Sequence, residues 1–439
     1  MKLQSVVGAL LLACGAAHAG DETRRSWADA SDEQVIDHVG RHTYAYFERT
    51  SHPASGFALD RTTFPDVSSI AATGFALAAH ATAVSREWIP RAEGALRVRR
   101  ILESLVRAAP ASTVRGFYYH FVDVASAARK GSSELSVIDM ALLAAGIRTA
   151  RAYFRDDLAI GALSQRLLDP IEWDWFLDGA RKRFFMAWKP EPSRKYGHPD
   201  PRGGGFFCGS ADHAVHWGAM TDEVVLMALL AGASREHRVS AADVLRELDP
   251  ATRDSVRHSW DGSLFTYFMG ASFLDPRRLG PTACGFDWFG NSARAIEANR
   301  RFAAAQKLPS WAFGSTACQG PDGRYRNYGA PPSAVEPVWD GTVATYGMMG
   351  AILHAPEAAI RAARELLTLG AFEEGMGLAD AVNWSKGDKV WINPTRFGIN
   401  QGMILLTLEN YRSGFVGRQF EADPEIAAVL DEAFPARKR

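Results

Sequence analysis

Apolar residues recur along much of the chain at the three- to four-residue spacing that places them on one face of a helix. The segment 31–49, SDEQVIDHVGRHTYAYFER, begins with a serine suited to capping a helix and then repeats valine, isoleucine and aromatic residues at this spacing. Segments 90–109 and 355–372 show the same periodicity, with charged residues on the opposite face. These three segments are predicted to be helices with one buried and one solvated side.

Other segments are apolar or small on nearly every side, which is typical of helices that are buried all round. They are 68–84, 133–154, 222–233, 342–354 and 402–412. Fully buried helices that alternate with half-buried ones indicate an inner ring wrapped by an outer layer. We therefore predict an all-α fold, an (α/α)6 toroid, with a loop-built cleft at one end.

Extended structure is predicted at few places. FYYHFV (117–122) and FFMAWK (184–189) are rich in aromatic residues and are predicted to be short strands at the mouth of the ring. The segment 189–219 is rich in Gly, Pro and His and lacks periodicity, so we expect it to cover a site or to be disordered.

The first residues, MKLQSVVGALLLACGAAHAG, have the lysine, the short apolar run and the Ala-His-Ala sequence of a secretory signal peptide. The run is shorter than the ~20 residues that a membrane-spanning helix needs. Cleavage after Ala19 would remove residues 1–19, whereas a lipoprotein signal would make Cys14 a lipid anchor. Both alternatives predict a periplasmic or secreted protein. No linker divides the remainder, so we expect 20–439 to be a single domain.

The formal net charge is −1, which gives no electrostatic reason to bind nucleic acid. Beyond the predicted signal peptide the cysteines are Cys208, Cys284 and Cys318. An odd number allows at most one internal disulfide, so stability must come from a hydrophobic core. Hydrophobic residues make up 47% of the chain, which is enough to build one.

Several well-known catalytic motifs are missing from the sequence. It contains no G-x-x-x-x-G-K-[ST], no G-x-S-x-G and no H-E-x-x-H. No motif therefore supports a nucleotide-binding, serine-hydrolase or zincin function. Cys208, His213 and His216 are of the types that bind zinc, but no second Cys or His cluster completes a ligand set. We therefore predict no metal site.

Two acids lie close together in SSELSVIDMALL. Five residues at ~100° each separate Glu134 and Asp139 by about 140°, so they do not share one face of the predicted helix. Glu134 also fits a first-turn acid of a helix capped by Ser132 or Ser133. Asp139 interrupts an apolar face, and a buried aspartate costs several kcal/mol unless it is paired, which favours a functional role.

Thr221, Asp222 and Glu223 precede the apolar segment VVLMALLAGA. They fit a capped helix whose dipole lowers the pKa of first-turn acids, whereas a general acid needs a raised pKa. Glu223 can serve as a general acid only if burial, for example against Trp217, outweighs the dipole.

Further acids and aromatic residues lie in polar loops. Asp340 and Asp380 fit turns or helix caps as well as a site, and Asn400 fits a helix cap. Sugars stack on aromatic rings, and paired carboxyl groups break glycosidic bonds. Acids and rings gathered on loops over a helical scaffold therefore indicate a carbohydrate-cleaving cleft.

Several phrases resemble the bacterial glycoamylase-like domain family, which includes endo-β-1,2-glucanases. They include GFYYHFVD, ELSVIDMALLAAG, TDEVVLMALLAG, STACQGPDGRYRNYGAPP, WDGTVAT, GLADAVN and FGINQGMILLTLENYRSG, in the order of the family. The resemblance implies an (α/α)6 barrel, an extracytoplasmic β-glucan substrate and no cofactor.

The resemblance also suggests roles for individual residues. It makes Glu223 the leading general acid and places Asp139 in the cleft, where Asp139 or another acid would activate water. The predicted substrate-binding residues are Glu134, Asp60, Arg61, Tyr119, Trp217, Trp288, Asp340 and Asp380.

The chain departs from the family at several positions. Relatives have a His-containing stretch where this chain reads FTYFMGASFLD (265–275), usually an Asp where Asn400 stands, and a Glu where Gly290 stands; 193–210 resembles an insertion. Three hypotheses follow. The first is a glycoside hydrolase that cleaves β-linked glucan such as β-1,2-glucan, and the second is a non-catalytic glucan-binding envelope protein on the same fold. The third is a zinc-dependent enzyme on this fold, which metal analysis of the purified protein would eliminate by showing no zinc.

Overall fold

The computed structural model describes residues 27–191, 197–207, 216–385 and 389–437. The predicted signal peptide, Cys14, Cys208 and His213 lie outside these residues. Within the described ranges, no helix has both the length and the apolar character to cross a membrane.

The described part of the chain is mostly helical, as the periodicity predicted. The helices are α1 (Asp32–Thr50), α2 (Ile70–Ser85), α3 (Arg91–Ser112), α4 (Val137–Tyr153), α5 (Leu158–Leu168), α6 (Asp222–Gly232), α7 (Ala241–Arg246), α8 (Pro276–Leu279), α9 (Trp288–Ala305), α10 (Thr345–Gly350), α11 (Pro356–Leu369), α12 (Gly398–Ser413), α13 (Phe415–Glu421) and α14 (Pro424–Ala433).

The contacts of the most apolar helices form a closed cycle. Helix α2 packs against α4, α4 against α6, and α6 against the 3-10 turns Leu264–Tyr267 and Gly270–Ser272. These turns contact α10 and α12, and α12 packs back against α2. Helices α1, α3, α5, α9, α11 and α14 pack on the outside of this cycle. The alternation of buried and half-buried segments in the sequence therefore corresponds to inner and outer helices.

Small residues allow the inner helices to approach each other closely. A Cβ added to Gly74 on α2 would lie 2.6 Å from the Cα of Leu143 on α4, and one on Gly146 would lie 2.0 Å from the carbonyl oxygen of Gly74. Both distances are shorter than van der Waals contact, so larger side chains would push the two helices apart. The many alanines of these helices extend the same close packing along their length.

The strands are two or three residues long and pair antiparallel. They are β1 (Val67–Ser69), β2 (Thr113–Val114), β3 (Phe117–Tyr118), β4 (Phe121–Asp123), β5 (Leu135–Ser136), β6 (Leu177–Asp178), β7 (Arg183–Phe184), β8 (Ala187–Lys189), β9 (Gly197–Pro199), β10 (Gly205–Phe207), β11 (Thr252–Arg253), β12 (Val256–Arg257), β13 (Cys318–Gln319), β14 (Tyr325–Arg326), β15 (Thr342–Ala344), β16 (Phe372–Glu373), β17 (Gly377–Leu378), β18 (Ala381–Asn383) and β19 (Trp391–Ile392). The strands predicted within 117–122 and 184–189 are confirmed.

Backbone hydrogen bonds bring the amino-terminal ends of the inner helices to one end of the molecule. The first residue of α2, Ile70, donates to the carbonyl of His120 at 3.0 Å, and the amide of His120 donates to the carbonyl of Glu134 at 2.7 Å. The first residue of α12, Gly398, donates to the carbonyl of Asp60 at 2.8 Å. The loops before α2, α4 and α12 therefore meet at this end, which we call the mouth.

Three local predictions need correction. Helix α4 begins at Val137, because Ser136 is its cap and accepts from the amide of Asp139 at 3.5 Å, whereas Ser133 accepts from Phe121. Asn400 is not a helix cap, since α12 already begins at Gly398. The helix predicted at 342–354 begins later, because its first residues form β15 and pair with β18.

Candidate active site

Glu223 lies in the first turn of α6 at the mouth and is only 3% exposed. Burial is the largest cause that raises the pKa of this carboxyl well above its ordinary value, and repulsion from Asp222 and Asp139 adds to it. The effect of burial on this pKa therefore outweighs that of the helix dipole, as a general acid at this position requires. Its Oε2 has no hydrogen-bond partner among the described residues. The raised pKa favours the protonated, uncharged carboxyl, and Oε2 is left able to bond with another molecule.

Asp222, the preceding residue, has a different environment. Its Oδ2 accepts from the backbone amide of Ala271 at 3.1 Å, which ties the start of α6 to the 3-10 turn Gly270–Ser272. Burial raises the pKa of Asp222 to about 8 although backbone amides oppose this rise. Asp222 therefore fixes the position of the first turn of α6, and Glu223 is left without such bonds.

His120 contacts both Glu134 and Asp139, which are five residues apart in the sequence. Its Nδ1 lies 2.9 Å from Oε1 of Glu134, and its Nε2 lies 3.3 Å from Oδ1 of Asp139. The imidazole also stacks on the ring of Phe121, with the centroids 3.8 Å apart. Burial disfavours the charged imidazole, but the carboxylates of Asp139 and Glu134 raise the pKa of His120 to about 9. A protonated histidine therefore holds two carboxylates in place.

The pKa values of Glu134 and Asp139 are shifted in opposite directions. Burial would raise the pKa of Glu134, but the hydrogen bond and charge of His120 dominate, and the pKa is lowered. Burial raises the pKa of Asp139, and repulsion from Glu134 and Asp60 adds to the effect of burial. Glu134 is not in a helix, because it precedes β5, so the angular argument about one helix face did not apply to it.

Asp60 and Arg61 lie at the mouth, where the carbonyl of Asp60 accepts from the amide of Gly398. Arg61 Nε donates to Asp60 Oδ2 at 2.7 Å. The guanidinium lies between the rings of Phe64 and Phe397, 4.8 Å and 4.4 Å from their centroids. Arg61 is thus held as a fixed positive charge beside the carboxylate of Asp60.

Asp380 is fully buried in a network of amides. Its oxygens accept from the amide of Gln319 at 2.8 Å, from Asn400 Nδ2 at 2.7 Å and from Asn393 Nδ2 at 3.2 Å. Burial raises the pKa of Asp380 to about 7, although these bonds oppose the rise. Asn400 therefore acts as a hydrogen-bond donor to a neighbouring acid.

Asp340 is held by its own turn. Its Oδ2 accepts from the hydroxyl of Tyr328 at 2.9 Å and its Oδ1 from the amide of Thr342 at 3.0 Å. This arrangement matches the turn role that the sequence left open for Asp340.

The predicted aromatic residues occupy different environments. Tyr119 is 9% exposed, with the guanidinium of Arg129 4.6 Å from its ring centroid, and Trp217 is 8% exposed beside Trp260. Trp288 needs correction, because it begins α9, is 1% exposed and packs against the aromatic ring of Phe434. Its ring has no face left for a sugar, so we omit it from the site.

Two residues of the site were not singled out in the sequence. His120 stands in the phrase GFYYHFVD, but its role depends on contacts with Glu134 and Asp139 that sequence spacing does not show. Asp261 lies in a loop before the 3-10 turn Leu264–Tyr267, and its charge also raises the pKa of Glu223 after the contributions of burial, Asp222 and Asp139.

Cys284 and Cys318 are free thiols and form no disulfide with each other.

Comparison with known proteins agrees with the resemblance seen in the sequence. The Glycoamylase family, described as "Putative glucoamylase", matches residues 216–424, which include Glu223, Asp380 and Asn400. The family resemblance is thereby confirmed for this part of the chain.

Individual relatives extend the likeness over most of the chain. An exo beta-1,2-glucooligosaccharide sophorohydrolase (non-reducing end) from Parabacteroides distasonis is 23% identical over 90% of this chain. This chain spans 57% of the length of that relative. The fold is similar to that of the endo-beta-1,2-glucanase from Chitinophaga pinensis, with a TM-score of 0.76, 20% identity and coverage of 92% and 98% of the two chains. The endo-beta-1,2-glucanase from Talaromyces funiculosus has a TM-score of 0.65 at 10% identity, covering 93% of this chain and 92% of its own.

Proposed function

We propose that this protein is a glycoside hydrolase that cleaves β-1,2-glucan. The observation that carries the proposal is the buried carboxyl of Glu223, whose Oε2 has no hydrogen-bond partner among the described residues and whose pKa is raised by burial and by the charges of Asp222 and Asp139. A neutral carboxyl beside an ionisable one is the pair that glycosidic bond cleavage requires. The activities named for the sophorohydrolase and the endo-glucanases support the choice of linkage.

In this proposal the closed cycle of inner helices is an (α/α)6 toroid, and the mouth is its substrate cleft. The amino-terminal ends of α2, α4 and α12 meet there, so residues distant in sequence converge on one bound sugar chain. We propose that residues 20–439 act as one domain, because both halves of the cycle supply residues to this cleft.

Glu223 is the proposed general acid. It would donate its proton to the glycosidic oxygen as the bond from that oxygen to the anomeric carbon breaks, and the leaving sugar would depart as an alcohol. Burial raises the pKa of Glu223 well above its ordinary value, which favours the protonated form that a general acid needs.

Asp139 is the proposed base. It would remove a proton from the water that attacks the anomeric carbon, either directly or through a relay, so that the net reaction adds one water across the bond. His120 would act as a positioning residue, because its contact with Asp139 fixes the carboxylate and its positive charge opposes protonation of Asp139. Glu134 would orient His120 from the opposite side.

The remaining predicted residues would bind sugar. Asp60 and Arg61 present a carboxylate and a guanidinium to hydroxyl groups, and Tyr119 and Trp217 would supply ring faces. Asp380 and Asp340 would support the cleft wall through the amide and hydroxyl bonds that they accept. The predicted export to the periplasm or the exterior would bring the enzyme to extracytoplasmic glucan.

A linkage screen tests the proposal. Purified protein is incubated with linear β-1,2-, β-1,3- and β-1,4-glucans, and new reducing ends and oligosaccharides are measured. We expect products from β-1,2-glucan. Binding of sophoro-oligosaccharides without release of reducing ends over long incubation would instead support a non-catalytic glucan-binding protein, and products from another linkage alone would overturn the choice of substrate.

A further inference from the structure

Two histidines and a glutamate form a cluster on the outer surface, apart from the proposed catalytic residues. His38 and His42 lie four residues apart on α1, so their rings share one face of the helix, with centroids 4.5 Å apart. Glu374 lies between β16 and β17. One ligand atom from each of these three side chains lies within 4.8 Å of the others.

We propose that His38, His42 and Glu374 form a binding site for a divalent transition metal ion such as zinc. Two imidazoles and a carboxylate are a ligand set that zinc accepts, with its remaining position open to water. The proposal goes beyond the glycoside hydrolase function and does not depend on it. It also departs from the sequence-based expectation of no metal.

Aromatic packing fixes the orientation of the two imidazoles. The ring of His38 packs between Trp27 and Phe372, with centroids 4.4 Å and 4.9 Å away. The ring of His42 meets that of Phe372 edge-on, with the centroids 5.6 Å apart. Both rings are therefore held in position before an ion binds.

A bound ion would change one existing hydrogen bond. The amide of Gly375 donates to Nδ1 of His42 at 2.9 Å, so this nitrogen carries the lone pair of the neutral ring. A metal ion would compete with that amide for the lone pair, and the turn from Glu374 to Gly375 would have to move. We therefore expect weaker binding than at a closed structural zinc site, together with a change in the turn.

The site would join two separate parts of the chain. Helix α1 contacts β17, and the chain continues from β17 directly to Asp380 in the mouth. An ion bound to His42 and Glu374 would therefore fasten the outer helix to the hairpin β16–β17. Binding to the folded state alone would raise its stability.

The test is a titration of the untagged full-length protein, stripped of metal, with zinc and with cobalt. Calorimetry should give a stoichiometry of one ion per chain. Bound cobalt should show the visible absorption that is typical of a site with a low coordination number. The Glu374→Gln variant should bind zinc at least about tenfold more weakly than the native protein. The double variant, which combines His38→Gln and His42→Gln, should not bind zinc. The melting temperature should rise with zinc in the native chain and not in the double variant.

Glu373→Gln is the matched control, because Glu373 is the neighbouring exposed acid and pairs with Arg396 instead. This variant should bind zinc as the native protein does. Absence of zinc binding by the native chain would overturn the proposal. Undiminished binding by the Glu374 variant and by the double variant would also overturn it, since the ion would then lie elsewhere. Neither result would bear on glucan cleavage.

Discussion

Replacing Glu223 with Gln tests the proposed general acid with the smallest change of shape. The carboxyl of Glu223 is buried and its pKa is raised well above the ordinary value, which favours its uncharged form. An amide of nearly the same size therefore fits the same space and lacks only the acidic proton. We expect turnover of β-1,2-glucan to fall by about 10²- to 10⁴-fold, the usual contribution of general acid catalysis. This loss corresponds to about 2.7–5.5 kcal/mol of activation free energy.

The same substitution should not weaken the fold. Because the folded-state pKa of Glu223 lies above its unfolded value, the folded state binds more protons, and stability falls as pH rises towards the folded pKa. Gln removes this loss. The Glu223→Gln variant should therefore equal the native protein within about 1 kcal/mol at about pH 4 and exceed it increasingly as the pH rises above that value.

The assay compares initial rates of reducing-end release, with unfolding free energies measured by denaturant titration at several pH values. Glu297→Gln is the control, because Glu297 is exposed on α9 and pairs with Arg300 at 2.8 Å. This control should keep the native rate. A folded Glu223→Gln protein with native turnover would show that the proton comes from another group.

Three further predictions concern the surroundings of the acid. The Asp261→Asn variant should lower the pKa of Glu223, because the charge of Asp261 helps to raise it. The alkaline limb of the pH–rate profile should therefore move to lower pH, and an unchanged alkaline limb would show that Asp261 does not act on Glu223. His120→Gln should cost about 3 kcal/mol in denaturant titrations, because it leaves two carboxylates without their shared partner, and an unchanged midpoint would contradict the bridge. Asp222→Asn should flatten the fall in stability between about pH 4 and about pH 8, since burial raises the pKa of this acid to about 8; an unchanged slope would argue against it.

The sequence by itself determined the type of fold and most of its elements. Alanine- and leucine-rich segments such as 222–233 could be stable only if buried on all sides, and the observed α6 is buried along its whole length. Local patterns suffice here because helix formation and burial depend on side chains three and four residues apart. The ends of helices were less certain, as Ser136 shows, because several nearby serines were equally able to cap α4.

Only the tertiary structure decided the chemistry of the acids. The sequence left the pKa of Glu223 open between the helix dipole and burial. The outcome depends on burial and then on the charges of Asp222, Asp139 and Asp261, of which the last two come from other parts of the chain. His120 links Glu134 to Asp139 through side-chain contacts that no helical periodicity encodes. The physical reason is that a pKa reflects every charge and the solvent within a few ångströms, and those neighbours are chosen by the folding of distant segments.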